Sequence, residues 1–128
     1  MKLKLNLKLT VNQLSNNTLN ENLSEEICLV YTSCGDEREA FRISEIAIKE
    51  NLAACTNIGS PISSVYKWKE GIEQSQEYPV YFKTTKNKYA ELEQIIKKEH
   101  SYECPCIIML DIKGGSAEFL NWIKESVS

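Results

Sequence analysis

Residues 27–58 read ICLVYTSCGDEREAFRISEIAIKENLAACTNI, and this stretch decides the fold class because its hydrophobic period changes along it. Ile27–Ser33 is a short apolar run with β-branched residues, which predicts a buried strand. Asp36 is a suitable N-cap. Beyond it an apolar residue recurs every three or four positions, which predicts an amphipathic helix over about 37–51. Cys55–Ile58 follows, before a glycine–serine–proline bend.

The middle of the sequence predicts a hairpin. Residues 64–69 alternate as a strand does, and the Glu70–Gly71 pair closes the turn. The return strand contains Tyr78–Thr85, where Pro79 predicts an edge position or a bulge because proline cannot donate a ladder hydrogen bond. The residues between them, 71–77, could be the flexible loop of a small-molecule sensor, although they carry Glu73 and Glu77 and no cation.

The last third of the sequence completes the fold. Lys86–Glu99 predicts a second helix, Cys106–Ile112 another buried strand, and Ser116 the N-cap of a short terminal helix. The order is strand–helix–strand–strand–helix–strand with one extra helix. This order predicts an α+β, ferredoxin-like sandwich in which both main helices cover one face of an antiparallel sheet.

The other face of such a sheet has no helices to cover it. Tyr66, Trp68 and Tyr81 are predicted to lie there or close by, and exposed aromatic residues are typical of a partner surface. We therefore expect these side chains to form the core of a self-association interface.

Composition excludes several classes of protein. The 128 residues suffice for one domain, and 15 basic against 18 acidic residues give a net charge of −3. Nucleic-acid binding is not expected, because there is no basic cluster to neutralise phosphates. No apolar run approaches the roughly 20 residues that cross a bilayer, so no membrane association is expected either.

The cysteines indicate the compartment. Their odd number, irregular spacing and lack of a preceding signal peptide predict free thiols in a reducing, cytoplasmic environment. Cys28 and Cys55 lie among apolar residues and are interpreted as core positions. The chain has one histidine, His100, which excludes a zinc site built from several histidines of one chain.

His100, Cys104 and Cys106 form the most suggestive group of metal ligands. Thiolates and imidazole suit copper far better than magnesium or calcium. Thiols at positions i and i+2 of an extended chain start about 6.6 Å apart, whereas a disulfide needs Cβ atoms about 3.8 Å apart. A shared metal ion is therefore easier than a bridge. The alternative is structural: an apolar strand cysteine and an ordinary helix-end histidine.

Residues 1–25 differ from the rest of the chain. They are rich in Asn, Lys and Leu, and Leu alternates with polar residues over positions 3–11. We interpret 1–25 as a flexible extension and 26–128 as the compact domain. An organelle-targeting peptide is the alternative, but such peptides are usually Arg-rich helices, and this stretch has no Arg.

Five phrases resemble the CutA family of divalent-cation tolerance proteins, over about Ile27 to Val127. They are Leu52–Asn57, Ser64–Trp68, Glu77–Thr84, His100–Pro105 and Phe119–Ile123. The resemblance implies a ferredoxin-like subunit, a tight homotrimer whose long hairpin strands pair between subunits, and a role in tolerance of copper and other divalent cations. Copper is thus a candidate cofactor, and folding is expected to need none.

The chain departs from the family at the segment around its histidine. Ser101 stands where the family usually has proline, and Cys106 where it has glutamate. The resemblance further implies bacterial metal ligands at positions that here hold Tyr31, Glu99 and Cys106, so that ligand set does not transfer.

Other signature positions, Glu77, Lys83, Thr84 and Tyr102, could line a cleft between subunits. Two other functions stay open: a trimeric small-molecule sensor of the PII type, and an assembly module without a metal. Catalysis is not expected, because His100 is the one usual general base and no glycine-rich phosphate loop is present.

We predict that deleting residues 1–24 leaves the melting temperature nearly unchanged, because the family resemblance begins only at Ile27. Thermal unfolding of the full and shortened chains at equal concentration measures this. A large drop would show that the alternating leucines add a strand to the core.

Overall fold

The computed structural model describes residues 26–128, which form five strands and three helices. They are β1 (Ile27–Cys34), α1 (Glu37–Lys49), β2 (Cys55–Ile58), β3 (Ile62–Trp68), β4 (Gly71–Thr85), α2 (Tyr89–Glu99), β5 (Ile107–Asp111) and α3 (Ala117–Ser126). A 3-10 turn at Lys86–Lys88 precedes α2. This order confirms the predicted α+β, ferredoxin-like sandwich with an additional C-terminal helix. The predicted extension, 1–25, lies outside the described residues. No helix within 26–128 is long and apolar enough to cross a membrane.

Strand β4 is the centre of the sheet. The strand order is β2-β4-β1-β5, every pairing is antiparallel, and β3 pairs with the first half of β4. Gly71–Glu77 therefore belongs to a 15-residue strand, and it is not the flexible loop that the sensor alternative would place there. These residues pair one by one with β3, from Trp68 opposite Gly71 to Ile62 opposite Glu77. The tip is a two-residue turn, in which Lys69 has a φ of 56°.

Pro79 lies inside this central strand and is buried, so the predicted edge position was wrong. Its carbonyl accepts a hydrogen bond from Gly59 N–H at 2.9 Å, just beyond the end of β2. In an antiparallel pair, the nitrogen and carbonyl of one residue point to the same side. The Pro79 nitrogen, which cannot donate, therefore faces the gap between the end of β2 and the start of β3, so no strand there lacks a donor.

The core lies between the sheet and the two main helices. Asp36 caps α1, since its carboxylate accepts hydrogen bonds from the backbone N–H groups of Arg38 at 2.7 Å and Glu39 at 3.2 Å. The buried core residues come from β1, β4, α1, α2 and the segment after α1. They are Cys28, Val30, Cys34, Ala40, Ile43, Ala47, Leu52, Ala53, Val80, Phe82, Leu92 and Ile96. Cys28 and Cys55 are both buried, as predicted.

Helix α3 covers one end of the opposite face. Leu120 and Ile123 pack there with Ile27, and the Lys83 ammonium lies 5.5 Å from the centre of the Phe119 ring.

The rest of that face, here called the open face, carries Tyr31, Tyr81, Ile108 and Leu110. Tyr31 lies opposite both Tyr81 and Ile108, and its ring centroid is 5.3 Å from that of Tyr81. Tyr81, Ile108 and Leu110 are all exposed in the single chain. The open face is therefore apolar and uncovered.

Candidate metal centre

His100 joins two parts of the chain through its ring. It follows α2 in an extended conformation, and its backbone N–H still bonds to the Ile96 carbonyl at 2.9 Å. The ring atom Nδ1 lies 3.1 Å from the Tyr102 N–H, and Nε2 lies 2.8 Å from the Ser33 carbonyl oxygen. Because the Tyr102 amide can only donate, Nδ1 is the acceptor. The ring proton is therefore on Nε2, which donates a hydrogen bond to the Ser33 carbonyl. Both ring nitrogens thus have partners.

Glu39 makes a second connection to the same segment. Its carboxylate accepts hydrogen bonds from the backbone N–H of Ser101 and from the Ser101 hydroxyl, the latter at 3.1 Å. The side chain is buried, and Arg42 Nη2 lies 3.8 Å away. These bonds hold the residues after α2 against the first turn of α1.

Cys34, at the end of β1, completes a group of three, which we call the buried cluster. One ligand atom from each of Cys34, Glu39 and His100 lies within 4.8 Å of the others, and all three residues are buried. Burial, and secondly the nearby Glu39 carboxylate, raise the pKa of the Cys34 thiol to about 12. The thiol is therefore protonated at neutral pH and is not activated as a nucleophile.

The predicted ligands are distributed over two places. Cys104 and Cys106 are exposed free thiols in the segment between α2 and β5. Within residues 26–128, the buried cluster is the group in which three potential ligands converge. It contains His100 but neither Cys104 nor Cys106. Joint binding by His100, Cys104 and Cys106 stays a prediction. Partial desolvation of the sulfur, and secondly the Glu77 carboxylate, raise the pKa of the Cys106 thiol although the residue is exposed.

Sequence reasoning missed Cys34 and Glu39 as partners of His100. Each is separated from it by more than 60 positions, and neither stands in a recognisable ligand spacing. One signal was present: with serine in place of the family's proline, position 101 has a backbone N–H that needs an acceptor.

The four signature positions do not share one surface. Glu77 is buried and accepts a hydrogen bond from the Ser33 hydroxyl at 3.1 Å. Burial, and secondly the Glu77 carboxylate, raise the pKa of Tyr102 to about 12. Lys83 Nζ donates to Asn57 Oδ1 at 2.7 Å. Thr84 is fully buried towards the helices, so it cannot line a cleft on the open face.

Comparison with known proteins agrees with this architecture. The CutA1 divalent ion tolerance protein family matches residues 28–126. The chain belongs to this family. The divalent-cation tolerance protein CutA of Archaeoglobus fulgidus is 40% identical over 98 residues, which cover 77% of this chain and 95% of that protein. The solved structure of the periplasmic divalent cation tolerance protein CutA from Archaeoglobus fulgidus has a TM-score of 0.78 at 38% identity, over 80% of this chain and 99% of that one.

The family also extends to plants. The chloroplastic protein CutA 1 of Oryza sativa subsp. japonica is 35% identical over 98 residues, which cover 77% of this chain and 55% of that protein.

The Glu39–Ser101 contact can be tested by placing proline, the family's usual residue, at position 101, where it should destabilise this chain. We predict that Ser101→Pro lowers the free energy of unfolding by about 1–3 kcal/mol, because a buried carboxylate loses its amide donor. The extended conformation of His100 is compatible with a following proline, so the lost donor dominates. Urea unfolding at fixed protein concentration, with a chelator present, measures the change.

Two variants serve as controls. Ser101→Ala keeps the backbone N–H and loses only the hydroxyl contact, so its cost should be smaller. In a Glu39→Ala background, Ser101→Pro should cost little, because no carboxylate is left unpaired. If Ser101→Pro were as stable as Ser101→Ala, the amide bond to Glu39 would contribute nothing.

Proposed function

We propose that this CutA-family chain is a homotrimer that binds a soft metal ion, copper(I) above all, through Cys104 and Cys106. The observation that carries the metal proposal is that both thiols are exposed and free on either side of Pro105. Thiolates prefer copper(I) to hard cations such as magnesium or calcium. The family's description as a divalent ion tolerance protein supports a metal as the ligand.

Cys104 and Cys106 alone make up the proposed surface site. A residue before proline is held extended, which places two side chains at i and i+2 on the same side of the chain. His100 would join them only by giving up a hydrogen bond to Ser33 or to Tyr102. The proposal therefore does not depend on His100.

Self-association is supported by the hairpin of β3 and β4. Val65, Trp68 and Ile72 are 64%, 58% and 76% exposed, although all three are large and apolar. A two-stranded ribbon is marginally stable alone, and its free edge attracts another strand. Copies of the chain could cover both this ribbon and the open face, as the family resemblance implies for a trimer.

We propose a binding role and not a catalytic one. Cys34, whose sulfur lies within 4.8 Å of a ring nitrogen of His100, is held protonated by burial, so it lacks the activation that nucleophilic catalysis requires. A cytoplasmic location remains a prediction based on the cysteines, since named relatives include periplasmic and chloroplastic proteins.

We predict that sedimentation at low micromolar concentration reports one species near three times 14.6 kDa. Tyr81→Arg should dissociate it, because a charge on the open face would be buried without a partner in the assembly. Phe41→Arg is the matched control: Phe41 is 51% exposed but lies on α1, away from the open face. A folded wild-type monomer at this concentration would contradict the trimer.

We predict that replacing Cys104 and Cys106 together by serine weakens copper(I) binding at least about 100-fold, since even residues that only support ligands contribute about 10–100-fold. Titration of the reduced protein against a competing chelator measures the affinity. Affinity should rise with pH, because the metal displaces a proton from each thiol and the pKa of Cys106 is raised.

The matched control is Cys55→Ala, which removes a buried thiol and should leave copper binding unchanged. Sedimentation of the double variant checks that the trimer is intact. Equal affinity of wild type and double variant would place the copper site elsewhere.

A further inference from the structure

We infer that the buried cluster is a second metal site, in which Cys34, Glu39 and His100 bind a divalent ion of borderline softness such as zinc. It is separate from the surface thiols and does not rest on the function proposed for them. Its three donors, a thiolate, a carboxylate and an imidazole, are all common zinc ligands. Three protein ligands leave a fourth position of a tetrahedral ion for water.

The distances suit such an ion after a small adjustment. Zinc bonds of about 2.0–2.3 Å place the ligand atoms of a tetrahedral site about 3.5 Å apart. In the cluster these atoms lie within 4.8 Å of one another. Rotations of the three side chains that move each ligand atom by up to about 1 Å would therefore bring all three to zinc-binding distance, with the strands and helices unchanged.

Charge favours a divalent ion over copper(I). When zinc binds, the Cys34 S–H bond breaks, a Zn–S bond forms and the proton leaves to water. The thiolate and the Glu39 carboxylate then supply two negative charges, which balance the two positive charges of the ion, while His100 stays neutral. A buried site with no net charge avoids the large cost of an uncompensated ion. Copper(I) would leave one negative charge unbalanced.

The surrounding hydrogen bonds hold two of the three ligands in place. The Nε2–H group of His100 donates to the Ser33 carbonyl, which is the common arrangement for a histidine that binds a metal through its other nitrogen. Nδ1 would then be the ligand atom. It would release the Tyr102 N–H, which lies in an exposed segment where water can replace it.

Arg42 does not compete strongly for the carboxylate. Its Nη2 donates to the Glu99 carbonyl at 2.8 Å, whereas the distance to Glu39 Oε1 is 3.8 Å. The two bonds from Ser101 fix both oxygens of Glu39 and leave each with a free lone pair.

The experiment uses the full chain carrying Cys104→Ser and Cys106→Ser, so that the surface thiols cannot contribute. Competition with a zinc chelator should give one zinc ion per chain. Cobalt(II) should produce the near-ultraviolet charge-transfer absorption of a thiolate–cobalt bond. Adding Cys34→Ser should abolish that band and weaken zinc binding at least about 100-fold.

Glu39→Gln tests the role of charge. Glutamine keeps the volume and an oxygen that accepts from the Ser101 amide, so the fold is retained, and we expect at least about 100-fold weaker zinc binding. Glu45→Gln, at an exposed carboxylate of the same helix, is the matched control and should bind as before. Circular dichroism confirms that each variant is folded.

Three results would overturn the proposal. They are no stoichiometric zinc in the chain without the surface thiols, a cobalt–thiolate band that persists in Cys34→Ser, and a folded Glu39→Gln variant with undiminished affinity. If the chain without the surface thiols bound no zinc, the wild type could still bind copper(I) through those thiols. The surface site and the buried site are therefore tested independently.

Discussion

The structure depends on the continuous backbone hydrogen bonding of β4. This single strand pairs with β2 and β1 along one half and with β3 along the other. The sheet that supports both helices and the hairpin that extends beyond it therefore share one continuous strand. Glu77 lies where the two halves meet, and the Ser33 hydroxyl bonds to its carboxylate from β1.

A second connection ties the segment after α2 to the end of β1. His100 bonds to the Ser33 carbonyl, and Ser101 bonds to Glu39 in the first turn of α1. Cys104 and Cys106 follow within a few residues. The bonds made by His100 and Ser101 therefore fix the start of the segment that carries both exposed thiols.

The elements with a strong hydrophobic period were predictable from the sequence. The buried strand at β1, the helix capped by Asp36 and the final helix follow from burial on one face, and local pattern reports burial well. The strand predicted over 106–112 is present as β5, but the prediction that it is buried was wrong, because Ile108, Met109 and Leu110 are exposed in the single chain. The polar stretch 71–77 was not predictable in this way. It is a strand because β3 pairs with it. Backbone hydrogen bonds do not require apolar side chains, so the polar sequence carried no sign of this pairing. Pro79 was misjudged for a related reason, since the accommodating gap between β2 and β3 is a property of the whole sheet.

The candidate site was predictable only in part. The exposed thiols around Pro105 were visible as a local motif, because both lie within three residues. The buried cluster was not, because chain folding brings Cys34 and Glu39 to His100 across a long separation. Ser101 was visible in the sequence as a departure from the family's proline. Its partner, Glu39, was not visible, because the two residues are far apart along the chain.

The pairing of Glu39 with Ser101 constrains how this sequence can have evolved. A proline at 101 offers no donor, so a buried acid at 39 is acceptable only after the proline has been lost. Any residue other than proline at 101 supplies the backbone N–H that Glu39 accepts, so proline is the one residue at 101 that conflicts with glutamate at 39. The two substitutions are thus epistatic, and the permissive order places the change at 101 first. Once glutamate is present, a single change back to proline leaves a buried carboxylate without its amide donor, whereas the same change before glutamate appeared would not.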